Sequence, residues 1–129
     1  MRLSIREDAS EYKAKADAVS QAEIYKGRFA ISVLTNDDIS SPTIVGAQAA
    51  NELLNIKGVR ASFVCTDYQN QVYVSARSID EVNVQVIMEK LGGGGHMSSA
   101  GCQMEGVSVN EAIVTLKKTL DQMIEEGEL

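Results

Sequence analysis

Leu91-Gly92-Gly93-Gly94-Gly95-His96-Met97-Ser98-Ser99-Ala100-Gly101 is the stretch on which the reading of this chain turns. It holds four consecutive glycines and the only histidine, between a helix-like apolar run and a short strand-like one. A glycine run sacrifices backbone entropy, so it normally marks a place where something approaches the backbone closely. The bland alternative is a flexible connector. Periodic structure on both sides, without a Ser/Pro-rich spread around it, argues against a connector.

Working outward, Val84, Ile87, Met88 and Leu91 form a helical stripe that ends at the glycines. Ser78 with Glu81 three residues later reads as a capping box opening that helix. Upstream, Val59 to Thr66 and Gln71 to Arg77 read as strands joined by Asp67-Tyr68-Gln69-Asn70, a hairpin connection. Alternation in the second strand sets Tyr73, Ser75 and Arg77 on one face and Val72, Val74 and Ala76 on the other. Arg28 to Thr35 is a strand with two apolar faces, Phe29, Ile31 and Val33 against Ala30, Ser32 and Leu34. Asn36-Asp37-Asp38 signals a loop, and Ser41-Pro42 starts a helix running to about Lys57, with Gly58 past its end. Residues 1 to about 22 read as a helix with a seam of Ile5, Ala9, Tyr12, Ala16 and Val19. Downstream of His96 there is room for one helical turn, then a short strand around Gly101 to Glu105. Ser108 and Glu111 form a second capping box, opening a final helix with Ile113, Leu116, Leu120 and Met123.

The order α-β-α-β-β-α-β-α predicts an α/β fold, a mixed sheet of four or five strands flanked by helices. One hairpin is antiparallel, and the helix-linked strands are expected to be parallel crossovers.

With 129 residues the chain suits one domain with a real core. No apolar run approaches the roughly 20 residues that span a bilayer, and no secretion signal opens the chain. A net charge of −6 speaks against duplex nucleic acid as a partner, which calls for a basic face. Cys65 and Cys102 lack metal-type spacing and read as buried free thiols, which fits a cytoplasmic location.

Glycines 92 to 95 could present successive N–H groups to an anion, with His96 adding a ring donor. Arg77, at a strand end, could grip phosphate oxygens in a bidentate fork; its bland reading is a surface arginine at a sheet edge. Ser98 and Ser99 could donate hydroxyls to the same anion or merely cap a turn. Two-metal hydrolysis needs clustered Asp and His ligands about 4 Å apart. One histidine and scattered aspartates, of which Asp37-Asp38 is the only loop doublet, do not supply them. No nucleophile elbow or Walker loop is present. The expectation is therefore an anion site without a metal centre, against the bland reading of His96 as a satisfied structural histidine.

Ser75-Ala76-Arg77-Ser78, the helix Val82 to Leu91 and Gly92 through Ala100, taken together, resemble the C-terminal DHH-associated domain of the DHH phosphoesterase superfamily. Asn83 through Leu91 running into the glycines is similar to the membrane-anchored bacterial cyclic-di-AMP phosphodiesterases. The resemblance covers nearly everything from Ala22 onward. It implies that residues 1-22 are a connector from a preceding DHH domain and 23-129 the substrate-binding domain. It further implies a nucleotide or cyclic dinucleotide ligand and a cognate DHH domain in cis that holds two manganese ions. The full-length protein would hydrolyse cyclic di-AMP to linear pApA, and the chain alone would be inactive. The candidate substrate-binding set is Arg77, Ser78, Gly93, Gly94, Gly95, His96, Ser98 and Ser99, with no catalytic or metal residue and no cofactor bound by this chain. Met97 to Gly101 departs from the family pattern. The alternatives are a lobe of an oligoribonucleotide or adenosine-bisphosphate phosphatase, a non-catalytic nucleic-acid-binding module related to the alanyl-tRNA synthetase tail, or a dimerisation domain forming a homodimer.

Overall fold

The computed structural model describes residues 9–35, 41–79 and 82–129. Ile5, Asn36-Asp37-Asp38 and Glu81 lie outside them. The elements are α1 (Ala9–Ser20), β1 (Glu23–Tyr25), β2 (Phe29–Leu34), α2 (Pro42–Leu53), β3 (Ala61–Tyr68), β4 (Gln71–Ser78), α3 (Val84–Lys90), β5 (Gly94–Gly95), β6 (Ser99–Glu105) and α4 (Val109–Glu125). The strands form one mixed sheet in the order β1-β2-β3-β4-β6-β5.

The expected α/β layering holds, with six strands among the described residues in place of four or five. The two additions are the short edge strands β1 and β5. Three and two residues are too few to carry a period, and glycine is a poor strand former. β2 and β3 are parallel, linked by α2, as a helical crossover requires. β4 and β6 are antiparallel, contrary to the expected crossover. The crossover from β4 through α3 delivers the chain to β5, which runs in the direction of β4. A hairpin then folds β6 back into the gap between them.

Burial sorts the two faces. One carries Phe29, Ile31, Phe63, Cys65, Val72, Val74, Ala76 and Cys102 against α3 and α4. The other carries Ala30, Leu34 and Val64 against α1 and α2. On this second face the buried hydroxyls of Ser32 and Ser62 donate to the carbonyls of Ala18 and Ala50, pinning both helices to the sheet. Gly46 lets α2 sit close, because a Cβ there would lie 2.8 Å from Thr66 Oγ1. The first helix buries Ala18 and tucks Ala14 and Val19 beside it, whereas Tyr12 is 63% exposed. The expected seam through Tyr12 and Ala16 is therefore rotated to the Ala14–Ala18 stripe. Alanines spaced through a charged helix do not say which of them meets the sheet.

Two helix ends differ from expectation. The second helix stops at Leu53, and tightened turns through Leu54, Asn55 and Ile56 lead to Gly58 at φ +90°. The third begins at Val84, capped by Asn83, whose side chain accepts from the N–H groups of Gln85 and Val86. Ser78 is strand, not cap. By contrast the Ser108–Glu111 capping box is formed in both directions. Ser108→Ala removes one of its two bonds, and urea unfolding is expected to show a loss of about 1 kcal/mol.

Cys65 and Cys102 each pair with Val74 from opposite sides, so they face the same way two strands apart. That spacing is about 10 Å, beyond disulfide reach. Burial and, secondarily, the neighbouring Cys102 push the Cys65 thiol from 9.0 up to about 12. Burial pushes Cys102 up to about 11. The native state thus keeps its protons where the unfolded chain has lost them. Stability is full below pH 9, the unfolded value, and falls as pH rises through 11 and 12. Chemical unfolding at pH 8 and pH 10.5 should show the decline, and Cys65→Ser with Cys102→Ser should flatten it.

Candidate functional site

The sheet is not evenly covered. On the face bearing α1 and α2, α1 packs on β2 and α2 on β3 and β4, and the surface running from the edge of α2 over β6 and β5 stays open. Register places three cross-strand rows on this open surface. In the first, Arg77 pairs with Ser99, and Ser99 exchanges both backbone hydrogen bonds with His96, at 2.7 and 3.3 Å. In the second, Ser75 pairs with Gly101 and Gly101 with Gly94. In the third, Tyr73 pairs with Gln103. Same-face rows on a strand are about 7 Å apart.

Arg77 is half-buried, and its guanidinium donates to the carbonyl of Ala76 at 2.8 Å. Among the described residues no carboxylate pairs with it. Burial lowers its pKa from 12.5, the behaviour of a cation partly stripped of water without a counter-charge. An anion placed on this row would supply that charge. His96 and Ser99 stand in the same row, His96 exposed and Ser99 half-buried.

Ser78 belongs elsewhere. It is buried on the opposite face, and its hydroxyl is shared between the carbonyls of Val82 (2.7 Å) and Met97 (3.2 Å). Its N–H donates to Ser98 O, while Val84 N–H donates to Met97 O. Ser78 therefore holds the Met97–Ser98 turn onto the end of β4 and has no hydroxyl proton left for a ligand. The expected helical turn after His96 is this two-residue turn, closed by the His96–Ser99 pair. Ser98 is exposed at its tip.

The glycines divide the labour. Gly92, at φ +89°, and Gly93 close a Schellman cap on α3, their N–H groups reaching Glu89 O and Met88 O. At Gly93 a Cβ would meet Gly101 O at 2.1 Å and Cys102 Cβ at 2.5 Å. At Gly95, φ +143°, it would meet Ala100 Cα at 2.5 Å. Gly94 has an ordinary φ and nothing within 4 Å of a Cβ. The run is thus a cap, a close crossing and a strand, not a succession of converging free N–H groups. With His96 paired to Ser99, antiparallel alternation turns the Gly94 N–H inward to β6 and leaves that of Gly95 pointing out.

Beside the arginine row lies a cleft of about 460 Å³, lined by Thr43, Tyr73, Ser75, Gly93, Gly101 and Gln103 among others. Strand alternation already signalled Tyr73 and Ser75. Gln103 follows only once the span of β6 is known, and Thr43 only from the seating of α2. Among the described residues no three His, Cys, Asp or Glu side chains gather in a way that could hold a metal ion.

A mixed sheet with helices on both faces and a glycine hairpin at one margin defines an α/β domain. The chain belongs to the DHHA1 domain family, which matches residues 26–126. It is 40% identical over 125 residues to the cyclic-di-AMP phosphodiesterase GdpP of Bacillus subtilis, covering 95% of this chain and 19% of that protein. It is 41% identical over 118 residues to the cyclic-di-AMP phosphodiesterase PdeA of Listeria monocytogenes, covering 91% and 18%. The chain thus spans about a fifth of the length of these relatives. An exopolyphosphatase-related protein from Bacteroides fragilis shares the fold, with a TM-score of 0.78 at 20% identity over 92% of this chain and 36% of that one. Among the described residues no helix is long and apolar enough to cross a membrane.

Proposed function

We propose that this chain is the lobe that grips the phosphate of a nucleotide substrate for a DHH-type phosphodiesterase, which in its full length cleaves cyclic di-AMP to linear pApA. The observation that carries this reading is Arg77, a half-buried cation without a carboxylate among the described residues, in one row with Ser99 and His96 on an open face. Two relatives named as cyclic-di-AMP phosphodiesterases support the substrate class. On this reading the DHH domain is joined in cis, in a membrane-anchored protein, and holds the manganese. This chain binds and orients: the guanidinium fork and the histidine ring hold phosphate oxygens, and Ser99 adds a hydroxyl.

The first test is titration of the chain with ribose 5-phosphate, followed by amide NMR. Shifts centred on Arg77, Ser99 and His96 at millimolar ligand support the reading, and an unmoved row at that concentration overturns it. Adding the DHH lobe and comparing cyclic di-AMP with a linear oligoribonucleotide then separates the proposed substrate from the phosphatase alternative.

A further inference from the structure

We infer that Ser78 is a positioning residue for the arginine row. From the far face of the sheet its hydroxyl sets where His96 and Ser99 stand relative to Arg77, a role that rests on the phosphate reading above and adds to it the part that shapes the row.

Arg77 and His96 reach the row by different routes. Arg77 lies inside β4 and pairs on both sides, with Ser62 of β3 and Ser99 of β6, so the sheet itself fixes its place. His96 follows the two-residue strand β5, which pairs with β6 alone at the margin of the sheet. A margin strand of two glycines holds little by itself. Whatever holds the Met97–Ser98 turn therefore holds His96 and, through their shared backbone bonds, its end of β6 at Ser99.

That turn is held from β4. Ser78 N–H donates to Ser98 O at 3.1 Å, the Ser78 hydroxyl donates to Met97 O at 3.2 Å, and Val84 N–H donates to Met97 O at 2.9 Å. Two of these three bonds come from the residue directly after Arg77. Successive strand residues point to opposite faces. Arg77 therefore turns to the open face, and Ser78, 6% exposed, to the buried one. One end of β4 carries the cation on one side and the clasp for its neighbours on the other. The same hydroxyl also donates to Val82 O at 2.7 Å, tying the entry of α3 into the clasp. A hydroxyl has a single proton to donate, so the two carbonyls share it and the longer bond, to Met97 O, is the weaker. Because the Ser78 side chain lies on the far face, its effect on an anion has to pass through the turn.

The test uses this chain with ribose 5-phosphate as the probe. Ser78→Ala removes the hydroxyl and keeps the N–H, so the row should loosen and affinity should fall about three- to tenfold, the scale of one hydrogen bond. In a His96→Ala background the same change should cost less than about twofold, since the loss passes through His96. An undiminished loss in that background, or no loss from Ser78→Ala alone, would overturn the role. The wild-type chain supplies a second measurement that does not depend on how well a variant folds. Ribose 5-phosphate at about ten times its Kd should slow hydrogen exchange of the Val84 amide, on the far face, about tenfold. The Glu111 amide, in the cap of α4, should keep its rate. Unchanged exchange at Val84 with the row occupied shows a turn that opens without releasing the ligand, and would equally overturn the role. A wild-type chain that gives no response to ribose 5-phosphate would instead strike the phosphate reading, and the role of Ser78 with it.

Discussion

Gly93→Ala is expected to cost about 3 kcal/mol of stability, at the upper end of what overpacking does, while Gly94→Ala next to it changes stability by less than about 0.5 kcal/mol. The difference lies entirely in what a methyl group would meet. At Gly93 it would overlap the carbonyl oxygen of Gly101 at 2.1 Å and both Cα and Cβ of Cys102. Those atoms belong to backbone and to a buried residue, so a side-chain rotation cannot relieve the clash. Either β6 moves off β4 or the α3 cap opens, and both undo packing around Ala100 and Cys102. Gly95→Ala should be comparably harmful, because it combines φ +143° with a contact of 2.5 Å to Ala100 Cα. Gly92→Ala meets no atom but is held at φ +89°, and should cost about 1–2 kcal/mol. Thermal unfolding of the four single variants gives the ranking directly. A large loss at Gly94, or none at Gly93, would contradict the assignment of roles.

Arg77→Met should act in the opposite sense on fold and ligand. The guanidinium is half-buried, held by Ala76 O and partly desolvated, so burial already works against its charge. A neutral chain of similar length removes that penalty, and stability should hold or rise by up to about 1 kcal/mol. Affinity for ribose 5-phosphate should fall roughly ten- to a hundredfold, the scale of a charge-assisted pair. Arg77→Lys keeps a charge but loses the planar fork, and should recover only part of the affinity. Added salt should weaken the wild-type chain more than Arg77→Met. If Arg77→Met binds as the wild type does, the row does not hold phosphate.

The parts of this arrangement that could be read from sequence are those with a local physical signature. The alternation Tyr73-Val74-Ser75-Ala76-Arg77 put Arg77 on its correct face, because in a strand the side-chain period is independent of context. The Ser108–Glu111 box and the apolar stripe of the last helix were legible for the same reason. The start of α3 was misread because Ser78-x-x-Glu81 imitates a cap. Ser78 lies instead in a strand that pairs with β3, a long-range contact without a local trace. The glycines were seen as one feature, yet their separate roles depend on which atoms β6 brings to each. Until β5 is known to pair with β6, nothing shows that His96, Ser99 and Arg77 share a row.

Both margins of the sheet end in very short strands, three residues in β1 and two in β5. A foreign strand approaching β5 finds the single outward-facing rung of Gly95 before the chain turns away at His96. At the other margin β1 is followed by Lys26 and Gly27, both at positive φ, which bend the backbone out of register. Natural sheets avoid edge-to-edge growth by such means. An uncovered face can thus sit close to a sheet margin without offering a template for aggregation.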